Sequence, residues 1–430
     1  MSGTDRLAEL LAPDPRLGVS VPAYAGRSLP NVASSVVQAL GGEASELALP
    51  PLAAGTDPFR GRRLEGPIVV FVVDGLGYTR LRSAAARAGA RHAAAWLRAA
   101  VPITSVFPTT TTVALASLST ASSPSRHGLV GYRQFLPAFG ATVDMLRQSP
   151  IGVVAEDALV GPSWSPSAVL GVAPIFRASV PRAVALSRDR FEGRAFTRLL
   201  YDGAAFEPYA TFAEFGAALA QLLERESPPP LVLAYWDELD TVQHLRGPGS
   251  PWVDFELERL GELLGAVARA LPPARARSTT VLVTADHGQV PVAPALQTAL
   301  DAEPTILEHL ARPPTGDRRV GLLRARAGAV AALERAVLAR LPAGARCFRA
   351  EEAIDGGLFG PPPYHPELRE RVGDLVVLVP SPGGITYTVP GRLPSWRRLV
   401  GGHGGVEADE LAVPLVASSL ADLTADPPSG

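Results

Sequence analysis

Three stretches of the chain share one design: a largely β-branched apolar run that stops abruptly on an acid. They are PIVVFVVDG (67–75), PLVLAYWDELD (230–240) and STTVLVTADHG (278–288). A run that is apolar at successive rather than alternate positions reads as a strand buried on both faces, the habit of a parallel sheet. Parallel strands need crossovers, and alanine-rich amphipathic stretches at 81–100, 212–226, 254–271 and 326–341 supply helices for them. The predicted class is therefore α/β, with a central, mostly parallel sheet flanked by helices.

The rest of the chain fits around that sheet. Residues 1–65 are punctuated by Pro and Gly and read as an irregular lead-in packed on the core, with one amphipathic helix near NVASSVVQAL. GDLVVLVP and GITYTVP read as two late strands joined by a turn at Ser381–Gly384. Pro-rich knots at 227–230, 272–273 and 361–363 read as turns, and there is no internal repeat. Residues 66–420 are expected to form one large domain, with the segment 133–211, including Trp164, Phe176 and RDRFEGRAFT, walling a substrate pocket.

Composition removes several function classes. The formal net charge is −2, with no basic stripe or acidic tail, so neither a nucleic-acid nor a membrane surface is expected. The single cysteine, Cys347, excludes an intramolecular disulfide and any multi-cysteine metal site. No apolar run approaches the roughly 20 residues of a membrane-spanning helix. The first residues lack the basic start and apolar core of a signal peptide, so the expected location is cytoplasmic. All 40 basic residues are arginine. That reads as compositional bias, and arginine counts are discounted as evidence.

In open α/β sheets the working site lies beyond the carboxyl ends of the strands. Here that edge receives Asp74, then Asp237, Glu238 and Asp240, then Asp286 with His287. One strand ending in Asp is ordinary, because turns and helix N-caps use Asp there. Three in one sheet are different: crowded carboxylates repel unless a cation neutralises them. DTVQH sets Asp240 and His244 four apart, on one helical face, where both can ligate one metal. The glycine-flanked GGHGG carries His403 on a segment free to take unusual dihedrals or to approach a ligand closely. Mixed Asp and His ligation suits zinc or manganese better than calcium. His127 is expected to orient a turn, and His92, His309 and His365 to have no site role.

These pieces, taken in order, resemble the alkaline phosphatase superfamily and, within it, the type I phosphodiesterase/nucleotide pyrophosphatase family. The resemblance is carried by VVDGLG, FPTTTT…SRHGLVGY, YWDELDTVQH, TADHG and GGHGG, and runs from about residue 67 to 416. It implies an alkaline phosphatase-like three-layer sandwich and two divalent metal ions, zinc or manganese. One would be held by Asp74, Thr111, Asp286 and His287, the other by Asp240, His244 and His403. It further implies a small phosphate-ester substrate and a nucleophilic Thr111 that becomes phosphorylated. Thr109 and Thr110 would cap the following helix or fill its turn, and the Thr112 backbone N–H would face a phosphoryl oxygen.

There are departures from the family pattern. Thr112-Val113-Ala114-Leu115 stands where nucleotide pyrophosphatases continue F-P-N-H, and Tyr132 stands where they place a phosphate-contacting Asn. Tyr235 stands where classical alkaline phosphatases carry the Glu that supports a third metal. The expected activity is phosphodiester hydrolysis. Phosphomonoesterase, phosphonate hydrolase and a non-catalytic metal-stabilised binding protein are the alternatives.

Overall fold

The computed structural model describes residues 3–43, 45–162, 164–386 and 399–424. Its centre is a seven-stranded sheet of β1 (Ile68–Val73), β2 (Ala100–Thr104), β3 (Val184–Arg188), β4 (Ala205–Tyr209), β5 (Leu231–Trp236), β6 (Thr280–Thr284) and β7 (Ala412–Ser419), in the order β2-β7-β6-β1-β5-β3-β4. β6, β1, β5, β3 and β4 run parallel, and β7 is antiparallel to both β2 and β6. The three apolar runs are thus three adjacent strands at the middle of the sheet. Every residue of β1 and β5 is buried, as continuous apolar runs require.

Register carries these strands to the site. Val73 pairs with Trp236 and Val72 with Thr284, so Asp74 stands level with Asp237 on one side and Asp286 on the other. Helices flank the sheet. α1 (Leu29–Ala39) packs against α2 (Thr111–Thr120), and α3 (Phe212–Glu224) packs against α5 (Pro251–Ala270). α4 (Glu238–Arg246) begins directly after β5.

Two helical expectations need correction. The stretch 81–100 is two helices, Tyr78–Ala85 and His92–Ala99, interrupted around Gly89, whose φ is +82°. α1 is not amphipathic in the ordinary sense, because ten of its eleven residues are buried. Its polar side chains face protein: Asn31 donates to the Pro50 carbonyl at 2.8 Å, Ser34 donates to the Leu49 carbonyl at 2.7 Å, and Ser35 accepts from the Leu52 N–H at 2.9 Å.

A second sheet was not foreseen. It joins Arg346–Arg349, Leu375–Leu378, Val320–Leu323, Thr315–Gly316, Arg133–Leu136, Ala141–Asp144 and Ser149–Pro150, in that order. The two late strands are present as Leu375–Leu378 and Gly384–Thr386, but they do not pair with each other. The first lies in this second sheet, and the second pairs with Gln297–Ala299. The remainder of GITYTVP lies outside the described residues. Among the described residues no helix is long and apolar enough to cross a membrane.

Candidate metal centre

The sheet edge gathers two groups of donors. Asp74 follows β1, Asp286 and His287 follow β6, and their ligand atoms lie within 4.8 Å of one another. Asp240 and His244 lie one turn apart on α4 and meet His403 under the same limit. The rings of His287 and His403 stack with centroids 3.8 Å apart, so the two groups adjoin. Gly75 makes this closeness possible. Its φ is +77°, and a Cβ there would lie 2.9 Å from Gln243 Nε2 and 3.2 Å from the Asp240 Cα. Gly401 does the same for the His403 loop, since a Cβ there would fall 2.4 Å from the Gln243 carbonyl oxygen.

Each histidine has one nitrogen committed to the backbone. Nδ1 lies 3.1 Å from the Gly288 carbonyl in His287, 2.9 Å from the Gly401 carbonyl in His244 and 2.9 Å from the Thr109 carbonyl in His403. A carbonyl only accepts, so Nδ1 carries the proton and Nε2 offers its lone pair. Yet Nε2 of His244 lies 3.2 Å from Asp240 Oδ2, and Nε2 of His287 lies 3.4 Å from Asp286 Oδ2 and 3.6 Å from Asp74 Oδ1. For the neutral His287, a lone pair facing carboxylates at these distances calls for a cation between them; at His244, whose proton Asp240 favours, a proton or a metal ion takes that place. Asp74 Oδ1 and Asp286 Oδ2 are also buried without a hydrogen-bond partner. The donor set fits divalent metal ions.

Electrostatics agree. Burial, then Asp286 and Asp240, holds Asp74 well above the usual carboxylate range. Burial, then Asp240, pushes Asp286 up to about 6. Burial lowers His287 and His403 to about 4, leaving both imidazoles neutral near pH 7. Burial alone would disfavour the ionised Asp240 as well, but His244 and the other two imidazoles hold it below the usual range.

The threonine run divides by position. Thr110, with extended φ and ψ, is the residue before α2, but its side chain caps nothing and its hydroxyl is buried without a partner. Thr109 ties down the His403 loop instead, donating to the Gly405 carbonyl at 2.9 Å and accepting from the Gly404 N–H at 3.0 Å. Thr112 is buried and donates to the Gly131 carbonyl at 3.2 Å. Thr111 alone of the four is not fully buried, and its hydroxyl lies 3.2 Å from His287 Nε2. His127 does orient a turn: Ser117 meets its Nε2 at 2.8 Å and the Leu129 N–H donates to its Nδ1 at 3.1 Å.

Thr111, Asp74, Asp240 and Tyr235 open onto a cavity of about 420 Å³. The segment 133–211 contributes Leu146, Arg147, Arg190, Phe191, Arg194 and Tyr201, among others, to its wall. Trp164 and Phe176 do not line it, and neither does Tyr132. The chain turns from Gly131 into the second sheet, where Arg133 pairs with Gly316, and this carries the Tyr132 phenol toward Asp144 and Asp317. A phosphate contact from Tyr132 is therefore not supported by the geometry. Asp237 and Glu238 also reach the edge without joining either donor group, because they pair with Arg188 and Arg190.

Several residues at the site escaped the sequence reading, and Tyr235 entered it only as a departure from the family pattern. Tyr235 donates its buried hydroxyl to Asp74 Oδ2. Gln289 donates to the Asp240 backbone carbonyl at 3.1 Å and also to its carboxylate. Asp317 approaches Nδ1 of His403 at 3.7 Å. Of the cavity arginines, Arg190 and Arg194 fall in the RDRFEGR stretch expected in the pocket wall, whereas Arg147 was discounted with the other arginines.

Comparison with known proteins was made on sequence and on structure. The family model described as type I phosphodiesterase / nucleotide pyrophosphatase matches residues 68–404. No curated protein sequence matches. Among solved structures, murine ectonucleotide pyrophosphatase / phosphodiesterase 5 superposes with a TM-score of 0.60 at 20% identity, covering 82% of this chain and 88% of that one. An inactive threonine-to-alanine variant of the same murine protein, in complex with AMP, superposes equally well. Phosphonoacetate hydrolase from Sinorhizobium meliloti, in complex with phosphonoformate, gives 0.57 at 20% identity, covering 85% of this chain and 96% of that one. At such identities the structures establish the fold, and the family model establishes the kinship. The chain belongs to the type I phosphodiesterase / nucleotide pyrophosphatase family of metal-dependent phosphoester hydrolases.

Proposed function

We propose that this chain hydrolyses phosphodiesters by passing the phosphoryl group first to Thr111 and then to water. One observation carries the reading. The Thr111 hydroxyl stands at a helix N-terminus, opens onto the cavity and lies 3.2 Å from His287 Nε2, beside two Asp–His donor groups. Asp74, Asp286, His287 and Thr111 would hold one divalent ion, and Asp240, His244 and His403 a second. The mixed donors suit zinc first and manganese second. Bound ions of this kind lower the pKa of a nearby hydroxyl and neutralise charge on phosphoryl oxygens.

The chain's own residues do the rest. Thr111 gives up its hydroxyl proton to solvent and its Oγ bonds to phosphorus, as the ester oxygen opposite departs with the electron pair of its P–O bond and takes up a proton from solvent. Water then cleaves the phosphothreonine and restores the hydroxyl. The Thr112 N–H sits in the first turn of α2, where backbone donors lack intrahelical acceptors, so it is available to a phosphoryl oxygen. The inactive threonine-to-alanine variant of the murine protein supports the assignment of the nucleophile.

A second reading, phosphonate hydrolysis, is favoured by Thr112, which stands where a nucleotide-specific relative would carry an aromatic residue. One experiment serves both. Metal-replete protein and Thr111→Ala are assayed on bis(4-nitrophenyl) phosphate, 4-nitrophenyl phosphate and phosphonoacetate, with metal content measured on the same samples. The variant should lose turnover by roughly three orders of magnitude or more while keeping its metal. Wild-type protein that turns over none of the three ends the hydrolase reading, and preference among them selects the ester class.

A further inference from the structure

Away from the Asp and His donors, the cavity wall is built from Leu115, Leu146, Phe191, Phe196, Leu200 and Tyr201. Three arginines interrupt it, and they are not equivalent. Arg190 is neutralised by Asp237, which Arg188 also meets at 3.1 Å. Arg194 is neutralised by Glu156 at 2.6 Å. Arg147 has a different environment. Its guanidinium donates to the backbone carbonyls of Val153 at 3.2 Å, of Val154, and of Ala155 at 3.4 Å. Asp144 takes only its backbone N–H, at 3.2 Å. Among the described residues, no carboxylate pairs with the Arg147 side chain. Carbonyl oxygens fix the direction of a guanidinium without cancelling its charge.

We propose that Arg147 forms an anion subsite for the organic group of the substrate. The inference rests on the reading of Thr111 as the phosphoryl acceptor. The ester carries its phosphoryl group at Thr111, lays an apolar or aromatic body along the wall, and presents a second anion, a carboxylate or a phosphate, to Arg147. The cavity volume of about 420 Å³ falls in the range of small-molecule sites. Three of the five guanidinium donors of Arg147 are engaged by the loop carbonyls, which leaves Nε–H and one Nη1–H to donate to a carboxylate or a phosphate oxygen. A carrier of this kind is an acidic small molecule rather than a neutral alcohol. Binding it would supply a counter-charge to the cavity arginine that lacks a carboxylate partner among the described residues.

The test uses three arylphosphonates, which have no ester oxygen to expel, and metal-replete protein, with titration calorimetry as the readout. Phenylphosphonate is the neutral-bodied reference. 4-Carboxyphenylphosphonate and benzene-1,4-diphosphonate add the second anion in its two forms. Wild-type protein should bind the doubly charged ligands roughly tenfold to a hundredfold more tightly than the reference. Arg147→Gln, which keeps a donor for the loop carbonyls, should reduce that ratio to about one, and Arg147→Lys should keep part of it. The larger of the two ratios identifies the anion. A wild-type ratio near one, or a ratio that survives in Arg147→Gln, overturns the subsite alone. If none of the three ligands binds, the phosphoryl-site reading falls and the subsite falls with it.

Discussion

Asp74 uses its two carboxylate oxygens differently. Oδ2 accepts from the buried Tyr235 hydroxyl, while Oδ1 faces His287 Nε2 with no hydrogen-bond partner. Burial, then Asp74, holds the Tyr235 phenol well above its ordinary pKa, so it stays protonated and can only donate to that carboxylate. The phenol therefore aims Oδ1 at the space a metal would occupy. Tyr235→Phe should weaken metal binding at the Asp74 group by roughly tenfold or more. Competition with a chelator measures this, and unchanged affinity would show that Asp74 needs no such support. Protonation gives a second handle on the same residues. Asp286 holds a proton in the metal-free protein below about 6, and burial with its acidic neighbours makes Asp74 hold one more readily than an ordinary carboxylate. His244 works in the same direction: burial opposes its proton, but Asp240 prevails and lifts it above its ordinary value. A metal must expel these protons, so affinity should rise as pH increases through about 6. Calorimetry in two buffers of different ionisation enthalpy should show net proton release between about pH 5.5 and 7. Zero release would contradict the ligand assignment.

Single elements carry these residues, and some of them depend on ties that cross the molecule. Arg319 is fully buried just before the strand Val320–Leu323, and it reaches Glu407 at 2.5 Å, Glu410 at 3.3 Å and the Gly383 carbonyl at 3.2 Å. Glu410 in turn accepts from the Gly405 N–H at 3.0 Å, so the second sheet braces the His403 loop through one guanidinium. Arg319→Ala would leave Glu410 buried and unpaired, and should cost about 3–5 kcal/mol in urea unfolding. Metal loss should begin at the His403 group. A cost within experimental error would mean the loop holds itself. The ease of reading elements from sequence follows the same physics. β1, β5 and β6 were legible because burial on both faces leaves an unbroken apolar run, and an acid at the end of each pointed to the edge. Of the second sheet only Leu375–Leu378, the apolar LVVL, was legible; the other strands span two to four residues and mix in polar or glycine positions, as in Arg133–Leu136 and Thr315–Gly316. α1 misled for another reason: Asn31, Ser34 and Ser35 look solvent-facing in sequence but satisfy the backbone of residues 49–52. Thr111 and the candidate metal donors carry their proposed chemistry in residue type and spacing. Arg147 does not, because the proposal for it rests on the carboxylate it lacks among the described residues, which no sequence displays.

At the scale of the whole molecule, the parallel sheet acts as a device for concentrating charge. Five parallel strands send their carboxyl ends to one rim, and the register levels Asp74 with Asp286 in a place where both are buried. The core behind them makes that arrangement tolerable, not favourable. In metal-free protein the two carboxylates repel wherever both are ionised, and each keeps an oxygen without a hydrogen-bond partner. Asp74→Asn removes one charge and keeps an acceptor for Tyr235. It should stabilise the metal-free protein by roughly 1–2 kcal/mol, as relief of strain at a functional site does elsewhere. The same change should abolish the gain that metal brings at this group, about 2.7 kcal/mol for wild type at a hundredfold excess over Kd. Thermal unfolding with and without chelator would show the variant above wild type when stripped and below it when loaded. That crossing separates a metal centre from a structural acid. If Asp74→Asn lowers stability in both states, the rim carboxylate belongs to the fold, and the chemistry must be sought away from the sheet edge.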